Sequence, residues 1–177
     1  MRIEQTDLPD ACLIVPEPVR DERGFFARTF CARELGERGL ETNFVQHSIS
    51  ASVSRGTLRG MHFQSEPHGE VKIVSCLKGA ILDVIVDLRP GSRTFRKWRG
   101  FELTRENRHR LYIPKGFAHG FQTLTDDAEV GYLISAFYEP AAASGVRHDD
   151  PAFGIAWPLP VAAMSDKDRA WPDFTRA

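Results

Sequence analysis

Two short segments hold most of the reactive side chains of this chain. Arg59-Gly60-Met61-His62-Phe63-Gln64 and Pro114-Lys115-Gly116-Phe117-Ala118-His119 each place one histidine near glycine, in stretches that read as short strands and turns. Lys72 follows the first histidine by ten residues. A base, a second imidazole and a fixed cation facing one pocket would suit removal of a proton from carbon beside a carbonyl. The base takes the proton, and a cation or donor receives the charge that moves onto the oxygen.

Each residue also has a plainer reading. A lone histidine in a strand is more often half-buried and bonded to backbone than reactive. With period two, Gly60, His62 and Gln64 share a face, and Arg59 points the other way unless the strand twists or bulges. Lys72 lies in an apolar strand, where a lysine is costly unless its charge is used or reaches water. It shares a face with Val74 and Cys76, and an edge lysine that blunts strand pairing is the level alternative. Tyr132 and Tyr138 share a face if their strand runs unbroken, but a core tyrosine is usually packing. Acidic residues are many, and the sequence does not single one out. A carboxylate bonded to a histidine would fix its tautomer and raise its basicity.

Those groups must be held by strands. Leu13-Ile14-Val15 stops before Pro16, and Asp21-Glu22-Arg23-Gly24 is a turn leading into Phe25–Phe30 as a strand. Ala32 to Arg38 is the best helix candidate, closed by Gly39. Val71–Leu77 ends in a hairpin-type turn at Lys78-Gly79, and Ala80–Leu88 follows as a run rich in β-branched residues. Further strands are expected at 97–103, 109–113, 120–124 and 129–135. Many short strands with frequent turns predict an all-β sandwich or barrel, with few helices. The segment from Ala141 onward is expected to wrap that barrel, and the whole chain, 1–177, to form one domain.

Composition narrows the function. Of 177 residues, 42% are hydrophobic, enough for one substantial core. With 23 basic and 24 acidic residues the net charge is −1, so no bulk charge draws the chain to nucleic acid or to an acidic membrane. No run resembles a membrane span, and the N-terminus lacks the apolar centre of a signal peptide. Cys12, Cys31 and Cys76 lack metal-ligand spacing and read as reduced thiols of a cytoplasmic protein.

Pro-x-Gly-x-x-His, ending at His119, resembles the second histidine motif of the cupins, which are small jelly-roll barrels. The first cupin motif normally supplies His-x-His for a metal. Here it reads His62-Phe63-Gln64, and three ligands need His68 or Glu70 as well. A barrel without metal is therefore favoured.

Seven motifs in order carry a closer resemblance. They are Asp21–Phe26, Gly56–Gln64, Lys72-Ile73-Val74, Asp83–Arg89, Ile113–Phe121, Asp149-Asp150-Pro151 and Ser165-Asp166-Lys167-Asp168. Together they resemble the dTDP-4-dehydrorhamnose 3,5-epimerase family, across residues 3 to 168. The resemblance implies a cupin-like jelly roll, a homodimer, no metal, no redox cofactor and a dTDP-4-keto-6-deoxy sugar as substrate. It implies that His62 is the general base, that Asp168 orients it, and that Tyr132 is the acid on the opposite face of the sugar. Lys72 would stabilise the enolate oxygen, with His119 beside the reacting carbonyl. Arg59 would bind the diphosphate, and Arg23 and Phe26 the nucleotide in the partner subunit. Arg28, Gln46, Ser48, Tyr138 and Lys167 complete the implied substrate contacts.

The chain departs from the family pattern in places. Ser48 replaces a longer amide, Arg28 and Ala143 stand where many members carry Glu, and Ser75 replaces a common arginine. These changes leave the base, acid and enolate groups intact, and they leave open the exact sugar and whether C3, C5 or both are inverted. A metal-dependent cupin oxygenase using His62, His68, Glu70 and His119, and a sugar-nucleotide-binding cupin without activity, are the competing readings.

Overall fold

The computed structural model describes residues 1–174. Two antiparallel sheets face each other. The first has six strands, in the order β1 (Arg2–Gln5), β2 (Cys12–Val15), β10 (Arg110–Ile113), β7 (Lys72–Lys78), β12 (Ala128–Ile134) and β5 (Gln46–Ser52). The second has five, in the order β13 (Ala143–Gly145), β6 (Leu58–Gln64), β11 (Phe117–Thr123), β8 (Ala80–Asp87) and β9 (Trp98–Thr104). A separate hairpin joins β3 (Val19–Asp21) and β4 (Gly24–Phe26). Helices are confined to α1 (Ala32–Gly36) and α2 (Asp166–Arg169) among the described residues. This is the all-β, cupin-like jelly-roll architecture expected from the sequence.

Strand alternation distributes the core. Val74, Cys76, Leu111, Ile113 and Val130 of the six-stranded sheet meet Ile81, Ile85, Phe117 and Phe121 of the other, sealing the space between the sheets. The opposite face of β8 points outward, where Val84 and Val86 pack under Val146, Phe153 and Trp157 of the C-terminal segment. Because β8 is covered on both faces, its sequence is a near-continuous apolar run rather than an alternating one. On the outside of the six-stranded sheet, Ile14, Ile73 and Tyr112 pack with Leu35 of α1 and with Phe30 and Phe44.

Four local expectations are corrected. Lys78-Gly79 does not close a hairpin, since β7 and β8 lie in different sheets and the turn carries the chain across the sandwich. Gly79 there has φ +75°, and a Cβ would run into the Thr125 hydroxyl. The strand expected over residues 25–30 ends at Phe26, because β3–β4 pairs with no third strand among the described residues and Phe30 turns away to stack edge-on against Phe44. α1 ends at Gly36, two residues before Arg38. Lys72 is not on an edge: β7 runs between β10 and β12. Among the described residues no helix is long and apolar enough to cross a membrane.

The C-terminal segment lies along the five-stranded sheet, as expected. β13 pairs with β6, and Thr57 bridges to Ala163 just before α2. Ser165 caps α2, its side chain accepting the Asp168 N–H at 3.1 Å. That short helix therefore delivers its residues to the start of β6.

Candidate active site

At one end of the sandwich the sheets part around a cavity of about 710 Å³. His62 on β6, His119 on β11, Lys72 on β7 and Tyr132 on β12 all line it. Each sheet thus supplies one wall: the five-stranded sheet carries the two histidines, and the six-stranded sheet carries the lysine and the tyrosine.

Arg59 and His62 are three residues apart, which in a regular strand would set them on opposite faces. Pairing with β11 shows how both reach the cavity. His62 pairs with His119, but Phe121 pairs with Arg59, so β6 holds one extra residue here. Gly60 sits in that bulge at φ +134°, and a Cβ would lie 2.5 Å from the Cα of Gly120. Only glycine permits this approach, and the bulge restores Arg59 to the side of His62. Arg59 is then anchored at the mouth, donating to Ser52 Oγ at 3.1 Å and to the Ala51 carbonyl at 2.8 Å.

His62 Nε2 lies 2.6 Å from Asp168 Oδ1. The other oxygen of Asp168 accepts the Gly60 N–H at 3.3 Å. Burial pushes the Asp168 carboxyl up, but the His62 bond and charge, with Gly60 and Ser165, outweigh it and hold it below the usual carboxylate range. An ionised carboxylate only accepts, so the imidazole proton sits on Nε2 and the lone pair on Nδ1. That is the tautomer of a base.

A second pair stands beside the first. His119 Nε2 lies 2.7 Å from Asp83 Oδ1, and both side chains are buried. Asp83 Oδ2 has no hydrogen-bond partner among the described residues. Across the cavity, the Tyr132 hydroxyl is 3.0 Å from Ser50 Oγ, and its ring meets the His119 ring edge-on at 6.3 Å. Burial pushes the Tyr132 hydroxyl up to about 12, with Asp83 adding to it and Ser50 and Arg59 opposing. The phenol keeps its proton at neutral pH.

The remaining expected residues divide. Gln46, Ser48, Tyr138, Lys167 and Ala143 line the same cavity. Tyr138 lies beyond the end of β12 and is tied there through its N–H, which donates to Gln46 Oε1 at 2.8 Å. The Lys167 ammonium stands 5.5 Å from the Trp171 ring. Arg23, Phe26 and Arg28 do not line the cavity of their own chain. Arg23 pairs with Asp21, Arg28 pairs with Glu34, and Phe26 is 74% exposed at the hairpin. Ser75 is buried away from the cavity and bonds the Gly131 carbonyl.

Of the two further candidate metal ligands, His68 is exposed and does not line the cavity, and Glu70 pairs with Lys72. Among the described residues no group of three His, Cys, Asp or Glu side chains is placed to hold a metal ion. Sequence reasoning missed Asp83 and Ser50 as site residues. Asp83 had a usable signal: it sits in the apolar run of β8 with the parity of Ile81 and Ile85, and a carboxylate there needs a partner.

Known proteins resemble this chain over nearly its whole length. A family model described as dTDP-4-dehydrorhamnose 3,5-epimerase matches residues 5–176. The enzyme of that name from Methanothermobacter thermautotrophicus is 47% identical over 174 residues, covering 96% of this chain and 92% of the relative. The crystal structure of dTDP-4-dehydrorhamnose 3,5-epimerase from Elizabethkingia anophelis is 41% identical, with a TM-score of 0.95 over 98% of this chain and 96% of that one. The structure from Bacillus anthracis, with TDP and PPi bound, is also 41% identical, with a TM-score of 0.94 over 98% of this chain and 99% of that one.

Proposed function

The chain belongs to the dTDP-4-dehydrorhamnose 3,5-epimerase family, and from that membership we propose how its residues carry out an epimerase reaction. The protein is an isomerase that acts on a dTDP-linked 4-keto-6-deoxyhexose, inverting carbon beside the C4 ketone through an enolate, in dTDP-rhamnose biosynthesis. His62 Nδ1 removes the proton, and Asp168 holds the imidazole and the charge it acquires. As the C–H bond breaks, its electron pair moves through carbon to the C4 oxygen. Lys72 and His119 stabilise that oxygen. Tyr132 returns a proton to carbon from the other side, and water re-protonates the phenolate.

One observation carries this reading: the base and the acid come from opposite walls of one cavity, His62 from the five-stranded sheet and Tyr132 from the six-stranded sheet. Inversion needs removal from one face and delivery to the other, and two facing sheets supply that. A positioned general base contributes roughly 10²–10⁴-fold.

Arg59, at the mouth, is the partner for the diphosphate, and Gln46, Ser48, Tyr138 and Lys167 contact sugar or nucleotide. The exposed hairpin fits a homodimer in which Arg23 and Phe26 reach the partner's cavity. Val19 and Phe26 are more than 70% exposed there, and such side chains are normally covered. Arg28, held by Glu34, would act from the same side.

The test is NMR of dTDP-4-keto-6-deoxyglucose incubated with the protein in D₂O. Deuterium entering C3 and C5 with inversion at both is the expected result. Exchange at one carbon would make the protein a mono-epimerase, and exchange at neither would overturn the assignment.

A further inference from the structure

We propose that Glu70 is a positioning residue that aims Lys72 at the reacting oxygen. The inference rests on the reading of Lys72 as the cation at the enolate. Lys72 Nζ lies 2.8 Å from Glu70 Oε1, and the two side chains are only 11% and 10% exposed, both lining the cavity. The second oxygen, Glu70 Oε2, accepts from Gln64 Nε2 at 3.0 Å.

Gln64 is itself locked. Its Nε2 also faces the His68 carbonyl at 3.1 Å and the Phe137 carbonyl at 3.3 Å, and its Oε1 accepts the Glu139 N–H at 2.7 Å. Turning the amide over would set oxygen against two carbonyls and nitrogen against an N–H. The amide therefore presents a donor to Glu70. β6, the loop after it and the segment after β12 thus hold Glu70 in place, and Glu70 holds the ammonium.

The consequence is pre-organisation. A lysine is a point charge on a flexible four-carbon stem with three donors. A fixed acceptor selects the rotamers that reach it and engages one proton, leaving two for the cavity. A donor already in place needs no reorganisation when charge develops on the substrate oxygen. Both Glu70 oxygens are thus engaged by donors, one by the ammonium and one by the Gln64 amide.

Glu70→Ala and Glu70→Gln test this beside wild type and Lys72→Ala, in the D₂O exchange assay. Glu70→Ala is expected to lower kcat about 10–10²-fold with KM within about threefold, and Glu70→Gln, which keeps one acceptor for Lys72 but turns an N–H toward the Gln64 donor, to fall between Glu70→Ala and wild type. In the Lys72→Ala background, removing Glu70 should cost no further activity, because Glu70 acts through Lys72. Thermal unfolding gives a readout independent of the reaction. Lys72→Ala strands a buried carboxylate, so it should lower Tm more than Lys72→Ala/Glu70→Ala does.

Wild-type kcat in Glu70→Ala would overturn the proposal. A loss confined to KM would make Glu70 a substrate contact, and Glu70→Gln as poor as Glu70→Ala would remove the acceptor argument. Wild type without exchange would overturn the role of Lys72 and the positioning with it, while the Tm comparison would still report whether the two side chains are paired.

Discussion

His62 and His119 stand opposite each other in register on neighbouring strands, and each turns Nε2 to a carboxylate, yet their surroundings differ. The His62 side chain is 43% exposed, and its partner Asp168 arrives from 106 residues away on α2. The His119 side chain is 6% exposed, and its partner Asp83 is fully buried on the adjoining strand β8. An imidazole that must exchange its proton with substrate and solvent needs access, and His62 has it. An imidazole that must hold charge or a hydrogen bond in place needs burial and a rigid partner, and His119 has those. With its Nε2 proton turned to Asp83, His119 can donate from Nδ1 to an oxyanion only as an imidazolium. Two imidazoles are thus set for two tasks by their exposure and by the carboxylates that hold them.

The largest effect should come from the exposed pair. His62→Asn removes the lone pair that accepts the substrate proton, and kcat should fall about 10³-fold with the fold retained, by steady-state assay and circular dichroism. A drop smaller than that for His119 would erase the distinction between the two. His119→Asn removes an oxyanion donor and should lower kcat about 10²-fold with the remaining exchange still dependent on His62, as the double variant would report. Asp168→Asn keeps an acceptor for Nε2–H but removes the charge that stabilises the imidazolium, and kcat should fall about 10–10²-fold.

The smallest effect is on stability. The Asp168 carboxyl is depressed in the folded protein, so the folded state binds its proton more weakly than the unfolded chain does. Its stabilising contribution is complete above the unfolded value, about 4, and is lost as pH falls through the depressed one. Denaturant titrations should therefore show wild type and Asp168→Asn converging below about pH 4, and a constant gap would contradict the depression.

The same contrast explains what the sequence disclosed. His62, Lys72 and His119 sit in strands whose composition announces them, so these three could be placed in one pocket, while Tyr132 gained its role only through the resemblance. The parity problem at Arg59 also signalled a bulge, which Gly60 provides. Asp168 entered only through the resemblance to the family, since a short capped helix carries no mark of the strand it will meet. Asp83 was hidden for a different reason: among many carboxylates, its burial depends on β8 being covered on both faces, a tertiary fact. The sheet crossover at Lys78-Gly79 was misread because local turn chemistry does not say which sheet the next strand joins.

The most direct measurement of opposite-wall chemistry compares deuterium exchange with inversion in His62→Asn and Tyr132→Phe, by NMR in D₂O. His62→Asn should show neither exchange nor inversion. Tyr132→Phe should still exchange, because the base can remove and return a proton on one face, but inversion should be lost. Inversion persisting in Tyr132→Phe, or exchange persisting in His62→Asn, would contradict the assignment of acid and base to facing sheets.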